Sequence, residues 1–196
     1  LLDPLLPQCL NWLFLLRRCM VDKLILETNH PMRKVFVGKV IAHIAVGESG
    51  ERLANAARIL EELTGQKPSL RKARRTIREF GIRKGENIAC MVTLRGEKAY
   101  SFLKKALTAI RYTIDGRSID EWGNFAFGIK EHIHIPGVKY DPAIGIFGMD
   151  VIVALERPGY RISRRRRRKS RIGKRHYVTR EEAIEYIGKV LGAKVI

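Results

Sequence analysis

Two periods run through the hydrophobic positions of the chain. Over 40–46, Val40, Ala42, Ile44 and Val46 alternate with Ile41, His43 and Ala45, which predicts a half-buried strand. The turn Gly47-Glu48-Ser49-Gly50 then leads into a predicted helix, with Leu53, Ala56, Ala57, Leu60 and Leu63 at helical spacing and Gly65 closing it. Residues 88–95 alternate again. Ile88, Cys90, Val92 and Leu94 face one way and Ala89, Met91, Thr93 and Arg95 the other, so Cys90 reads as a core thiol. Over 97–110, Ala99, Phe102, Leu103, Ala106, Leu107 and Ile110 form one stripe, the mark of an amphipathic helix that covers a sheet or another helix. Alternation returns over 125–135 and 149–155, predicting further strands. Thr179 and Glu182 make a capping box for a last helix running through Ala183, Ile184, Ile187 and Leu191 to Gly192.

Strands that are amphipathic rather than uniformly apolar favour a largely antiparallel sheet. The predicted fold class is therefore α+β, with helices packed on one face of that sheet and the opposite face free to bind, in preference to a doubly wound parallel fold. A length of 196 residues suffices for one or two such domains, and 45% hydrophobic residues exclude a disordered polar chain. There is no internal repeat.

The first 19 residues, LLDPLLPQCLNWLFLLRRC, are apolar but interrupted. Asp3, Pro4, Pro7, Gln8 and Asn11 break every 18-residue apolar span, so no membrane crossing is expected. Arg17 and Arg18 follow the apolar stretch instead of preceding it, which argues against a secretory signal. Residues 1–29 are read as an N-terminal extension, non-native or disordered, with Met20 as an alternative start, and 30–196 as the functional domain.

Charge changes the picture most. The chain carries 38 Lys+Arg against 20 Asp+Glu, a formal +18. Segment 67–84 holds eight cations and the single acid Glu79, and segment 161–180 holds eleven cations and no acid. Those two balances account for the entire excess, so the rest of the chain is neutral and a polyanion is the expected partner. In the first segment Arg71, Lys72, Arg74, Arg75, Arg78, Arg83 and Lys84 are interleaved with Ala73, Thr76, Ile77, Phe80 and Ile82 before Gly85 turns the chain, which predicts a structured, projecting basic loop. Its Arg-rich composition suits RNA, because guanidinium groups fork onto phosphates and stack on bases. In the second, Arg164, Arg165, Arg166, Arg167, Arg168 and Lys169 are consecutive and repel one another, which predicts a mobile segment until a phosphate backbone compensates it.

Catalytic chemistry has little support. The GESG turn lacks the lysine of a nucleotide-binding loop and carries Glu48 where phosphate would sit. His132 and His134, two apart on the strand predicted there, would share a face and could hold a metal, yet further ligands at suitable spacing are missing and Asp141 is the nearest carboxylate following them. Asp120 and Glu121 are adjacent without any need to face one another. Three cysteines without CxxC spacing offer neither a disulfide framework nor a zinc site, and fit a reducing compartment. No catalytic residue, metal or cofactor is expected. An RNA-processing enzyme using the two histidines and a DNA-compacting protein are the other readings.

The ordered series Asn55-Ala56-Ala57, Leu63-Thr64-Gly65-Gln66-Lys67-Pro68, Lys72-Ala73-Arg74-Arg75-Thr76 and Ala89-Cys90-Met91-Val92-Thr93-Leu94-Arg95-Gly96 resembles the "L five" family of large-subunit ribosomal proteins. So do Phe127-Gly128-Ile129 with Glu131-His132, and the run from Tyr140 through Asp141-Pro142-Ala143-Ile144-Gly145-Ile146-Phe147-Gly148-Met149 to Asp150. Arg157-Pro158-Gly159-Tyr160-Arg161 and the basic residues beyond are similar to the archaeal and eukaryotic branch. The resemblance spans 30–196 and leaves out the first 29 residues. It implies an α+β domain in a cytoplasmic ribosome, with one sheet face on 5S rRNA in the central protuberance. It further implies contacts with large-subunit rRNA, with P-site tRNA through the basic loop, with neighbouring central-protuberance proteins, and with a small-subunit protein across an intersubunit bridge. By match to the family's motifs, Asn55, Gln66, Thr93 and Arg95 are 5S-contacting positions.

Overall fold

The computed structural model describes residues 30–138, 141–142 and 144–196. They form two compact units, a smaller one of 30–35 with Arg157–His176 and a larger one of Phe36–Glu156 with Tyr177–Ile196. The N-terminal extension read in the sequence lies outside the described residues.

The larger unit is built on a five-stranded antiparallel sheet of β1 (Phe36–Ala45), β2 (Ser69–Lys72), β3 (Asn87–Leu94), β5 (Phe125–Ile129) and β6 (Met149–Glu156), in the order β2-β3-β1-β6-β5. Helix α1 (Glu51–Thr64) packs against β3, and α2 (Glu97–Ala109) against β1. A small parallel pair joins β4 (Thr113–Ile114) to β7 (Lys194–Val195). This is the α+β architecture that the strand patterning predicts.

Alternation decides which face each strand buries. Val40, Ala42 and Ile44 of β1, Cys90, Val92 and Leu94 of β3, and Val151, Val153 and Leu155 of β6 are buried. On α2 the stripe Ala99, Phe102, Leu103, Ala106 and Leu107 is buried as predicted, while Ile110, predicted with them, is the half-buried cap just past the helix end. On α1 the buried set is Leu53, Ala56, Ile59, Leu60 and Thr64, while Ala57 and Leu63 are half-buried, so the face is rotated from the one predicted. Thr64 is accommodated because its hydroxyl donates to the Leu60 carbonyl at 2.6 Å. Burial pushes the Cys90 thiol up to about 11, which keeps it protonated and inert at neutral pH.

Two close approaches fix the frame. A β-bulge between Val37 and Lys39 brings Gly38 so near the Glu156 side chain that a Cβ there would lie 2.3 Å from Glu156 Cδ. Gly123, at φ +74°, faces Val178 Cγ1 at 2.7 Å from its would-be Cβ.

The last helix, α4 (Arg180–Tyr186), opens with both halves of the capping box between Thr179 and Glu182 in place. It continues as a π-turn over Ile187–Leu191 to Gly192 at φ +67°. Its Tyr186 hydroxyl meets that of Tyr100 on α2 at 3.0 Å, and Tyr100 accepts the Val37 N–H at 3.1 Å. Burial, then the bond to Tyr100, raises the Tyr186 pKa, so this clasp stays neutral.

The smaller unit contains a 3-10 turn Pro31–Arg33, a helical turn α3 (Arg161–Arg164) and a second 3-10 turn Lys174–His176. Tyr160 and His176 meet edge to face at 5.9 Å between ring centroids, and His176 Nε2 lies 2.8 Å from the Pro158 carbonyl.

The alternation over 125–135 predicts one strand, and only its first half forms. β5 stops at Ile129, and His132–His134 is a 3-10 turn fastened by the His132 N–H to the Phe147 carbonyl at 3.0 Å. In a turn of three residues per cycle, positions two apart point different ways. His132 is accordingly buried, its Nδ1 accepting the Phe147 N–H at 3.3 Å, whereas His134 is exposed. The shared face required for a two-histidine metal site does not exist. Among the described residues no group of three or more His, Cys, Asp or Glu side chains is placed to hold a metal, and no helix is long and apolar enough to cross a membrane.

Candidate nucleic-acid interface

Within the larger unit the described helices α1 and α2 pack on one side of the sheet, and the side chains of the other face are exposed or half-buried. Register places its side chains in rows, because paired residues of antiparallel strands share a face. One row runs Ser69, Met91, His43, Asp150, Gly128, and the next Thr93, Ile41, Ile152, Ala126. Lys39 belongs to the same face. Thr93 and Ile152 are exposed, and Ile41, His43 and Met91 are half-buried. His43 Nδ1 stands 3.8 Å from Asp150 Oδ2. Such a face has few charges, and offers hydroxyl, imidazole and apolar groups to a shaped surface more than it offers cations to phosphates. Sequence patterning sets Ile41 and Met91 on the second face of their strands but singles out neither these nor Ile152 as part of the open surface, although the apolar character of that face held the signal.

Gln66 and Thr93 converge at one corner of this sheet. Gly65 ends α1 in a left-handed conformation at φ +62°, and the Gln66 N–H donates to Thr64 Oγ1 at 3.3 Å. Three residues later Ser69 pairs with Met91, so Gln66 and Lys67 approach the strand end that carries Thr93 and, just beyond it, exposed Arg95. Asn55 is not part of this cluster. It is half-buried on α1, nine residues before Thr64, or about 14 Å along the helix axis at 1.5 Å per residue.

The basic loop 67–84 is a hairpin. Its first arm is β2, an edge strand with all four side chains exposed, and its tip is closed by reciprocal backbone bonds between Ile77 and Ile82, at 2.9 and 3.1 Å, around a turn with Gly81 at φ +68°. Arg71, Lys72, Arg74, Arg75, Arg78, Arg83 and Lys84 are all exposed on it. Glu86 anchors its base. One carboxylate oxygen accepts the Ser49 hydroxyl in a short hydrogen bond, and the other accepts the Arg83 N–H at 3.0 Å. These bonds, that from Ser49 foremost, hold the Glu86 pKa below the usual carboxylate range. A depressed acid contributes stability above its unfolded pKa and loses it as pH falls through the folded one. Replacement E86Q is therefore expected to raise hydrogen exchange at the Arg83 amide near neutral pH, and the wild-type protection to fade only in acid below the ordinary glutamate range. Unchanged exchange in E86Q would remove the carboxylate from the anchor.

In the second basic segment, 164–169, all six side chains are exposed. Arg164 ends the turn α3, Arg165 Nε donates to the Arg168 carbonyl at 2.8 Å, and Arg168 takes a left-handed φ of +50°. The segment 161–180 itself contains no Asp or Glu.

A helix-backed sheet whose open face carries few charges, in a chain with two strongly cationic segments, defines a polyanion-binding scaffold, and the described residues show no cluster of acid, base and nucleophile of the kind catalysis requires. Comparison with known proteins gives that class its family. The model described as "Ribosomal protein L5" matches residues 30–83, and that of the ribosomal L5P family C-terminus matches 87–186. The "Large ribosomal subunit protein uL5" of Aeropyrum pernix is 59% identical over 167 residues, covering 85% of this chain and 87% of its own length. Its namesake in Pyrobaculum aerophilum is 54% identical over 173 residues, covering 88% and 97%. That of Caldivirga maquilingensis is 49% identical over 190 residues, covering 97% and 91%, an alignment too long to fit within 30–196. The chain belongs to the ribosomal protein L5 family, whose members are structural components of the ribosome and not enzymes.

Proposed function

We propose that the chain is a cytoplasmic constituent of the large ribosomal subunit that binds 5S rRNA in the central protuberance. What carries the reading is that archaeal relatives named as large ribosomal subunit proteins match it over most of both chains at more than half identity. The open sheet face supports a division of labour: polar groups at Gln66, Thr93 and Arg95, with Asn55 farther along α1, orient a folded RNA, while the arms attract its phosphates without reading sequence. The run 164–169 serves large-subunit rRNA. Hairpin 67–84 reaches P-site tRNA, and the same projection lies toward the small-subunit protein across the intersubunit bridge, with other central-protuberance proteins alongside. Neither a metal nor a cofactor has a role in this reading.

The purified chain is expected to retain 5S rRNA selectively from a total RNA extract at moderate salt, as read by gel and sequencing of the eluate. The triple variant N55A/Q66A/T93A is expected to weaken that retention by about 2 to 4 kcal/mol, near 1 kcal/mol for each hydrogen-bonding side chain removed. Equal binding by parent and variant would mean the RNA sits elsewhere.

A further inference from the structure

One side of the basic hairpin carries an open notch of about 410 Å³, within the range of small-ligand clefts. Its floor is apolar, made by Ala73, Ile77, Ile82 and Ile88, and its walls are Arg74 and Arg75. The Ile77–Ile82 backbone pair holds it open at the tip. At the base it is held by the bonds from the Ala73 N–H to the Glu86 carbonyl at 2.8 Å and from the Gly85 N–H to the Ala73 carbonyl at 3.0 Å. A further bond, from the Lys84 N–H to Thr76 Oγ1 at 3.0 Å, braces the two arms. Ile77 is 43% exposed, and Phe80, in the turn beyond it, 72%. Apolar surface this open on a projecting arm calls for an occupant.

We propose that this notch seats a single unpaired nucleotide, its base turned out of the helical stack onto the three isoleucines and its phosphate forked by Arg74 and Arg75. The inference rests on the RNA-binding reading and adds the form of RNA taken. Of the forms an RNA can present, an extruded nucleotide offers both halves that the notch asks for. A fully paired stem presents phosphates to the arginines but keeps its base faces stacked, leaving the isoleucine floor wet. A cationic protein segment would meet the +7 balance of 67–84 and be repelled. Flat bases are accepted by apolar and aromatic surfaces without regard to sequence, so the site selects for an unstacked base and not for its identity.

The test uses the full chain and two RNA stems of equal phosphate count, one fully paired and one containing a single bulged 2-aminopurine. The bulged stem is expected to bind on the order of tenfold more tightly, with a change in 2-aminopurine fluorescence on binding. Variant I82S is expected to abolish that preference while leaving affinity for the paired stem unchanged, and I77S, at a more exposed position, to do the same if I82S disturbs the hairpin. R74Q/R75Q should weaken both stems. Binding of both stems with no preference and no fluorescence change overturns the notch and leaves the RNA reading standing. Loss of both stems overturns the two together. Retention of the preference in I82S and I77S, or tighter binding of an acidic tryptophan-containing peptide that displaces the bulged stem, also overturns it.

Discussion

Exchange of all six cations at 164–169 for glutamine is expected to flatten the salt dependence of RNA binding more than any other change of similar size. Each phosphate contact releases a condensed counterion, so log affinity falls against log salt with a slope of roughly 0.7 to 0.9 per contact. If all six residues lie on RNA, the slope becomes shallower by about 4 to 5, and affinity near 0.1 M salt drops on the order of a thousandfold. The six side chains are exposed, so the substitution removes charge at the surface and leaves the buried core untouched. The change thus belongs to binding and not to stability, and an unaltered thermal midpoint is the control. Filter binding of 5S rRNA over a salt series reads it directly. An unchanged slope would show that the run contacts no phosphate, whatever its affinity for water. A partial change would count the residues engaged, since the slope is proportional to their number.

Charge was the most legible feature of the chain because it needs no fold to be seen: both arms are continuous in sequence. The strands β1, β3 and β6 and the helix α2 were legible for a related reason. Each buries one face against a single layer, so periodicity writes the burial directly into the order of residues, as in Val40, Ala42 and Ile44. Strand β2 could not be read that way. Its Ser-Leu-Arg-Lys has all four side chains exposed, and backbone bonds to β3, invisible to hydropathy, hold it in the sheet. The failure over 125–135 has the opposite cause. The alternation of Ile129, Ile133 and Ile135 with polar residues suggests a continuing strand, but the residues buried past Ile129 are His132 and Ile135, three apart, the spacing of a 3-10 turn fastened to Phe147. At the corner of the open face, neither Gln66 nor Thr93 stands out by residue type, and only the family resemblance singled them out. Ile77 and Ile82 looked like spacers among arginines, since what makes them a floor is their pairing across a turn.

The one-sidedness of the sheet predicts a sharp contrast between two apolar residues on adjacent strands. Phe125 is 1% exposed on β5, stacked with Phe127 at 6.5 Å between centroids and paired with Val153, whereas Ile152 next door on β6 points to the other face and is 38% exposed. Truncating Phe125 to alanine removes a ring from a close-packed layer, and is expected to cost about 3 to 5 kcal/mol. Against a total of roughly 5 to 15 kcal/mol for a domain of this kind, that leaves the protein marginal. I152A, at a side chain that is 38% exposed, should cost only about 1 kcal/mol, well below F125A. Urea denaturation followed by circular dichroism measures both, with the slope in denaturant checked for constancy. The same I152A protein is then the cleaner probe of function, because a loss of 5S rRNA binding in it cannot be charged to unfolding. Should I152A instead destabilise the free chain as severely as F125A, Ile152 would have to be buried against other residues of this protein, and the surface assigned to RNA would already be occupied.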